Sequence, residues 1–263
     1  MAVAQVTGGE FEDEDVVRCY RRRPPYPDAL HTRLTELASG RRRLLDLGCG
    51  PGKLARGLAA RFASVDAVDP SAAMLAAGRA LAGDTHPNIR WIEAGAEAAA
   101  LDGPYDLAVA GASIHWMRHH EVMPRLARAL RSGAPLALVD GDGPSEAAWR
   151  DAFQAVVVRW VEKSGRTWDD AAHKALVSAH LPWIDVGGEE TFTRTVRQPL
   201  DHFIEAQHSR ATWARSRMGA EADVFDAEVR AALEPFAADG SVSFSVAVRL
   251  VWGAPRLTPR PDA

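Results

Sequence analysis

Residues 44–53 read LLDLGCGPGK, an apolar run that ends in an acid and is followed by glycine at every second position, Gly48, Gly50 and Gly52. A run that is apolar on both faces suits a parallel strand buried between helices. Glycine lacks a Cβ, so the backbone after the strand can turn sharply and lie against a ligand. Leu54, Leu58 and Phe62 then recur at every fourth position, giving a following helix its buried stripe. The stretch predicts a strand, a tight turn and a helix that starts beside backbone bare enough to touch a cofactor.

The spacing narrows the choice of ligand. A dinucleotide fingerprint spaces its glycines G-x-G-x-x-G, and a phosphate loop needs four residues between glycines and a Lys followed by Ser or Thr. Here Lys53 occupies the third dinucleotide glycine position and Asp46 stands two residues before the first glycine, so neither pattern is met. Residues 64–69 read as a second strand with Asp69 at its carboxyl end, where a carboxylate can accept charge-assisted hydrogen bonds from both hydroxyls of a ribose. Pro70 and Ser71 open a helix carrying Met74, a residue that suits either an adenine face or plain core. A third strand near Ile89–Ile92 leads to Gly95-Ala96-Glu97. A fourth, over Tyr105–Ala110, leads to Gly111-Ala112-Ser113-Ile114-His115-Trp116.

Asp46–Gly52, D-L-G-C-G-P-G, resembles motif I of the class I S-adenosylmethionine (SAM) dependent methyltransferases. Residues 111–116 resemble the A-x-x-H/Q-W element of the type 11, trans-aconitate methyltransferase-like branch of that family, and Tyr20–Pro27 resembles its N-terminal Pro-bracketed segment. The resemblance covers roughly residues 16–140 and thins beyond 145. It implies an α/β fold, a Rossmann-like seven-stranded and mostly parallel sheet flanked by helices, with the last strand antiparallel and a helical cap insertion. It implies SAM as cofactor and S-adenosylhomocysteine as product. The implied cofactor residues are Tyr20, Arg23, Asp46, Gly48, Gly50, Gly52, Asp69, Pro70, Met74, Ala96, Glu97 and Ala112. Tyr20 and Arg23 would hold the methionyl carboxylate; for Glu97, adenine contact and a solvated surface acid both remain open.

The implied acceptor residues are Phe11, Tyr26, His115, Trp116, Gln207, His208 and Trp213. His115 is the candidate general base, because a hydroxyl acceptor needs one, but relatives carry Gln there and a carboxylate acceptor needs none. The reaction expected is methyl transfer to O, N or C of a small molecule, promoted mainly by proximity and orientation. A SAM-binding protein with a non-methylating reaction, or a binding protein on the same scaffold, is the alternative.

Composition excludes other classes. The 263 residues carry a formal charge of −4, which offers no footprint for nucleic acid. The sequence has neither an apolar run of about 18 residues nor a signal-peptide pattern, which points to a cytoplasmic protein, either monomer or homodimer, away from membranes. Cys19 and Cys49 give no disulfide framework, and no metal constellation is visible. Residues 1–27 read as a lid segment and 28–145 as the SAM-binding core. Residues 146–187 and 198–238 read as cap, 188–197 and 241–252 as closing strands, and 253–263 as a flexible tail. Helices are expected over 200–217 and near 169–179, and the tryptophans of the second half suggest an apolar acceptor pocket.

Overall fold

The computed structural model describes residues 9–165 and 178–261. Strands β1 (Arg43–Leu47), β2 (Ser64–Asp69), β3 (Ile89–Glu93), β4 (Leu107–Gly111) and β5 (Leu136–Asp140) form a parallel sheet in the order 3-2-1-4-5. Neighbouring positions of β1 face opposite sides of the sheet. Leu44 joins one apolar cluster, and Leu45 and Leu47 join the other. That two-sided burial is why the run is continuously apolar.

The sheet is completed by β6 (Pro144–Glu146), β7 (Ile184–Pro199) and β8 (Ser241–Pro255). All three pairings here are antiparallel: β8 lies beside β5, β6 and β7. The expected Rossmann-like arrangement with an antiparallel final strand is therefore present, with eight strands rather than seven because the short β6 adds to β8. The closing strands also run longer than expected. In β7 the extension passes Gly187 and Gly188, where a Cβ on Gly188 would stand 2.4 Å from the Trp252 ring. The tail is tied down as far as Arg260, whose N–H donates to Pro182 O at 2.9 Å, and Arg256 N–H donates to Trp183 O at 2.8 Å.

Helices α1 (Glu14–Tyr20), α2 (Asp28–Leu37), α3 (Lys53–Leu58), α4 (Ala72–Ala82), α5 (His119–Ala129) and α6 (Arg150–Lys163) flank the sheet. The helix expected over 200–217 breaks into α7 (Leu200–Gln207) and α8 (Arg215–Met218), followed by α9 (Glu221–Leu233). The break has a local cause. The buried His208 ring is bonded to Trp213 O at 2.6 Å and to Asp226 Oδ1 at 2.7 Å, so the chain folds back on itself there. The helix expected near 169–179 lies almost wholly outside the described residues.

The carboxyl ends of β1, β2 and β4 meet where the strand order reverses about β1, the crevice in which open α/β sheets take their ligands. Among the described residues, no helix is long and apolar enough to cross a membrane.

Candidate active site

The turn after β1 holds its shape through left-handed glycines, with φ of +61° at Gly48, +53° at Gly50 and +75° at Gly52. A Cβ on Gly48 would sit 2.5 Å from Ser113 Cβ, whose hydroxyl donates to Leu47 O at 2.7 Å. Beneath the turn, Asp46 Oδ2 accepts the Ala55 N–H at 2.9 Å and so satisfies a donor of the first turn of α3. Burial pushes the Asp46 carboxyl up to about 7. At the tip of β2, Asp69 accepts from Gly50 N–H at 2.8 Å through Oδ2 and from Ser71 N–H at 2.9 Å through Oδ1. Burial raises its pKa, and these two N–H bonds oppose the rise. Each carboxylate oxygen keeps a second acceptor site.

Ser71 caps α4, accepting from Met74 N–H at 3.1 Å, and its hydroxyl donates to Phe11 O at 2.6 Å. The N-terminal turn Gly9–Glu12 is thereby fastened over the crevice, and the Phe11 ring meets Trp116 edge to face at 5.8 Å. On the opposite wall, Glu97 Oε1 accepts Arg118 N–H at 2.7 Å. Ala112, on the loop after β4, adopts φ of +51°, a conformation costly for any side chain.

These groups enclose one cavity of about 320 Å³. Of the residues anticipated from sequence, it gathers Phe11, Tyr20, Gly48, Gly50, Asp69, Pro70, Met74, Ala96, Glu97, Ala112 and Trp116. Gly95, Gly111, Ser113, Met117 and Arg118 also line it. Ser113 had a signal, since it follows β4 at the tip, but Met117 and Arg118 carry no pattern that marks them.

The remaining anticipated residues stand elsewhere. Asp46 supports the turn from below, and Gly52 is bare because the Trp91 ring would lie 2.5 Å from its Cβ. Tyr26 packs behind Gly111, and His115 is half-buried with its ring 4.9 Å from that of Trp116, outside the cavity wall. Gln207 donates to Phe203 O at 2.9 Å inside α7, His208 is sealed, and Trp213 stacks on Phe225 at 5.2 Å. None of these last three lines the cavity; Gln207 instead lines a second, small pocket with Arg23, Asp142 and Arg210, and His208 and Trp213 are core of the cap. The tryptophans follow suit, with Trp149 and Trp160 buried and donating to Ser243 O and Glu228 Oε2, both at 3.1 Å. Trp168 lies outside the described residues.

Arg23 is turned away from the cavity. It donates to Ser209 Oγ at 2.8 Å and to Ser209 O at 2.9 Å, and pairs with Asp142 at 3.2 Å. Lys53 at 3.8 Å and Arg210 at 3.9 Å approach the same carboxylate. The cluster thus sets three cations around one acid. Burial opposes ionisation of Asp142, but the cations outweigh it and hold the carboxyl at about 2. Burial brings Lys53 down to about 8. The Arg23 guanidinium lies 4.2 Å from the centre of the Tyr20 ring, and Tyr20 also lines the cavity.

The fold is the class I methyltransferase architecture. Residues 44–133 match a family model described as a methyltransferase domain. Trans-aconitate 2-methyltransferase of Streptomyces avermitilis is 36% identical over 162 residues, covering 58% of this chain and 59% of that protein. The enzyme of the same name from Variovorax paradoxus is 36% identical over 199 residues, covering 74% of this chain and 63% of its own. The chain thus spans 59% and 63% of the length of these curated relatives. A solved protein of Anaeromyxobacter dehalogenans, assigned as a type II methyltransferase, superposes with a TM-score of 0.66 at 28% identity, over 90% of this chain and 99% of that one. The chain carries a class I SAM-dependent methyltransferase domain.

Proposed function

We propose that this chain transfers the methyl group of SAM to a small acceptor bearing a carboxylate. The observation that carries the reading is Asp69, anchored by the glycine turn at the edge of a cavity that also gathers Met74, Ala96 and Glu97. That donor and acceptor set fits an adenosyl group. Asp69 offers two charge-assisted acceptors for ribose hydroxyls, Met74 and Ala96 are apolar surfaces suited to adenine, and the bare Gly50 leaves room beside them. SAM, when bound, supplies a methyl on a positive sulfonium that is open to in-line displacement. The chain's own part is to hold the acceptor in line with it, and orientation of this kind is worth about 7–11 kcal/mol of barrier.

The acceptor class is supported by the cationic cluster behind Tyr20. Three cations and one acid leave a surplus of positive charge, with Arg23 and Lys53 largely buried and Arg210 half-exposed, and such a surplus favours an anion nearby. The names of the relatives agree, since trans-aconitate is a carboxylic acid. A carboxylate is ionised at neutral pH and attacks without a base, which suits a His115 that stands outside the cavity wall.

Two measurements test the reading. Calorimetry with S-adenosylhomocysteine should show binding that Asp69→Ala weakens. A turnover screen of di- and tricarboxylates against matched amines and alcohols should give methyl transfer only to the acids. Absence of cofactor binding would remove the whole proposal, whereas turnover of an alcohol or amine would remove only the acceptor class.

A further inference from the structure

Strand β7 pairs with β8 along its whole length, from Ile184 opposite Pro255 to Pro199 opposite Ser241. Among the described residues no strand lies on its other side. An unpaired edge of this length is a template for another chain, and proteins usually blunt such edges with proline, bulges or like charges. The only irregularity in this ladder falls between Val186 and Gly188. Residues 189–197, ETFTRTVR after the first Glu, contain neither Pro nor Gly. From Glu189 to Arg197 the ladder with β8 is regular.

The side chains of this stretch have a symmetry that blunting does not require. Glu189, Thr191, Thr193, Thr195 and Arg197 are all exposed, while Phe192 and Val196 on the other face pack against the core. About Thr193 the exposed series is self-complementary, with the acid at one end, the base at the other and threonines between. We propose that β7 is a homodimer interface, in which two copies pair antiparallel about a two-fold axis at Thr193 and continue one sheet through both. Glu189 then lies directly opposite Arg197 of the second copy, and Thr191 opposite Thr195.

On the core face, Phe192 lies opposite Arg194 of the second copy, an arginine that forms no ion pair among the described residues. Opposite-charge, threonine and cation–aromatic neighbours are the pairs that stabilise adjacent antiparallel strands. A register slip of one residue would put exposed positions of one copy against core-facing positions of the other, so the match about Thr193 also fixes the register. The local pairs that Glu189 makes with Arg249 and Arg197 with Asp239 are exposed and contribute little, so they do not compete strongly.

The test uses the full chain. Light scattering should give a dimer. Thr193→Cys should form an intermolecular disulfide under mild oxidation, since facing residues at a two-fold bring their Cβ atoms within about 5.5 Å and the native Cys19 and Cys49 are buried. Arg197→Glu should weaken dimerisation about tenfold, because two symmetry-related pairs change sign together, and the double exchange Glu189→Arg with Arg197→Glu should restore it. A monomeric parent overturns the proposal. So does a dimer that Thr193→Cys fails to cross-link or that Arg197→Glu leaves unchanged.

Discussion

Gly50 N–H donates to Asp69 Oδ2 at 2.8 Å, joining the glycine turn after β1 to the acid at the tip of β2. The bond places the carboxylate before any ligand arrives, so binding loses little freedom there. Asp69→Asn keeps the shape, removes the charge and turns one acceptor into a donor that faces Gly50 N–H or Ser71 N–H. Charge-assisted bonds contribute about 1.5–3 kcal/mol each, so affinity for S-adenosylhomocysteine should fall by about 10- to 100-fold. Isothermal calorimetry reads this directly, and an unchanged constant would remove Asp69 from the ribose role.

Gly48 and Gly50 separate strain from occupancy. Both are left-handed, which costs a side chain about 1–2 kcal/mol, but only Gly48 would also collide, at 2.5 Å from Ser113 Cβ. A Cβ on Gly50 meets no protein atom within 4 Å, and the residue lines the cavity. Gly50→Ala should therefore lose about 1–2 kcal/mol of stability while weakening cofactor binding, and Gly48→Ala should be clearly less stable than Gly50→Ala. Chemical denaturation beside calorimetry distinguishes the two. Equal stability losses would contradict the packing argument.

Much of this was legible in the sequence because the information is local. The strand–turn–helix at residues 44–58 and the acid at Asp69 are written in adjacent residues, and the fold brings them together as their order implies. The acceptor side was not legible in the same way. Gln207, His208 and Trp213 have the chemistry of a binding site, yet whether a polar helix face meets a cavity or its own fold is decided by long-range packing. Here Asp226, 18 residues on, accepts the His208 ring and turns it into a brace. The same holds for Arg23, whose carboxylate partner Asp142 is 119 residues away. No short motif announces that pairing.

His208 makes that distinction measurable. The side chain is fully buried between Trp213 O and Asp226 Oδ1. His208→Ala leaves a cavity and an unpaired carbonyl, which should cost about 2–4 kcal/mol. It should leave the affinity for S-adenosylhomocysteine within twofold, because His208 is not among the residues that line the cavity. A variant that is as stable as the parent but fails to methylate would return His208 to the acceptor site.

His115 makes a second such comparison. Its ring lies against Trp116 but outside the cavity wall, and an ionised acceptor needs no base. With whichever carboxylate the turnover screen identifies, His115→Gln should keep kcat within about threefold of the parent, well short of the 10²–10⁴ attributed to a general base. A loss of a hundredfold or more, with cofactor affinity intact, would establish the base.

Lys53 gives a prediction in pH. Burial lowers it from 10.5 to about 8; the Asp142 carboxylate opposes the fall, and Arg23 and Arg210 add to it by repulsion. Between pH 8 and 10.5 the unfolded chain holds more protons at this group than the folded one. Stability contributed by the group therefore rises with pH through that window, and its cost is fully present below about 8. That cost is about 3 kcal/mol at most, offset in part by the Nζ bond to Pro24 O at 2.7 Å. Lys53→Met should be at least as stable as the parent at neutral pH, and its advantage should shrink as the pH approaches 10.5. If the surplus charge serves the acceptor, the same variant should raise KM for a carboxylate while leaving S-adenosylhomocysteine binding unchanged. A variant less stable than the parent at pH 7 would mean that Lys53 is a net brace for the fold.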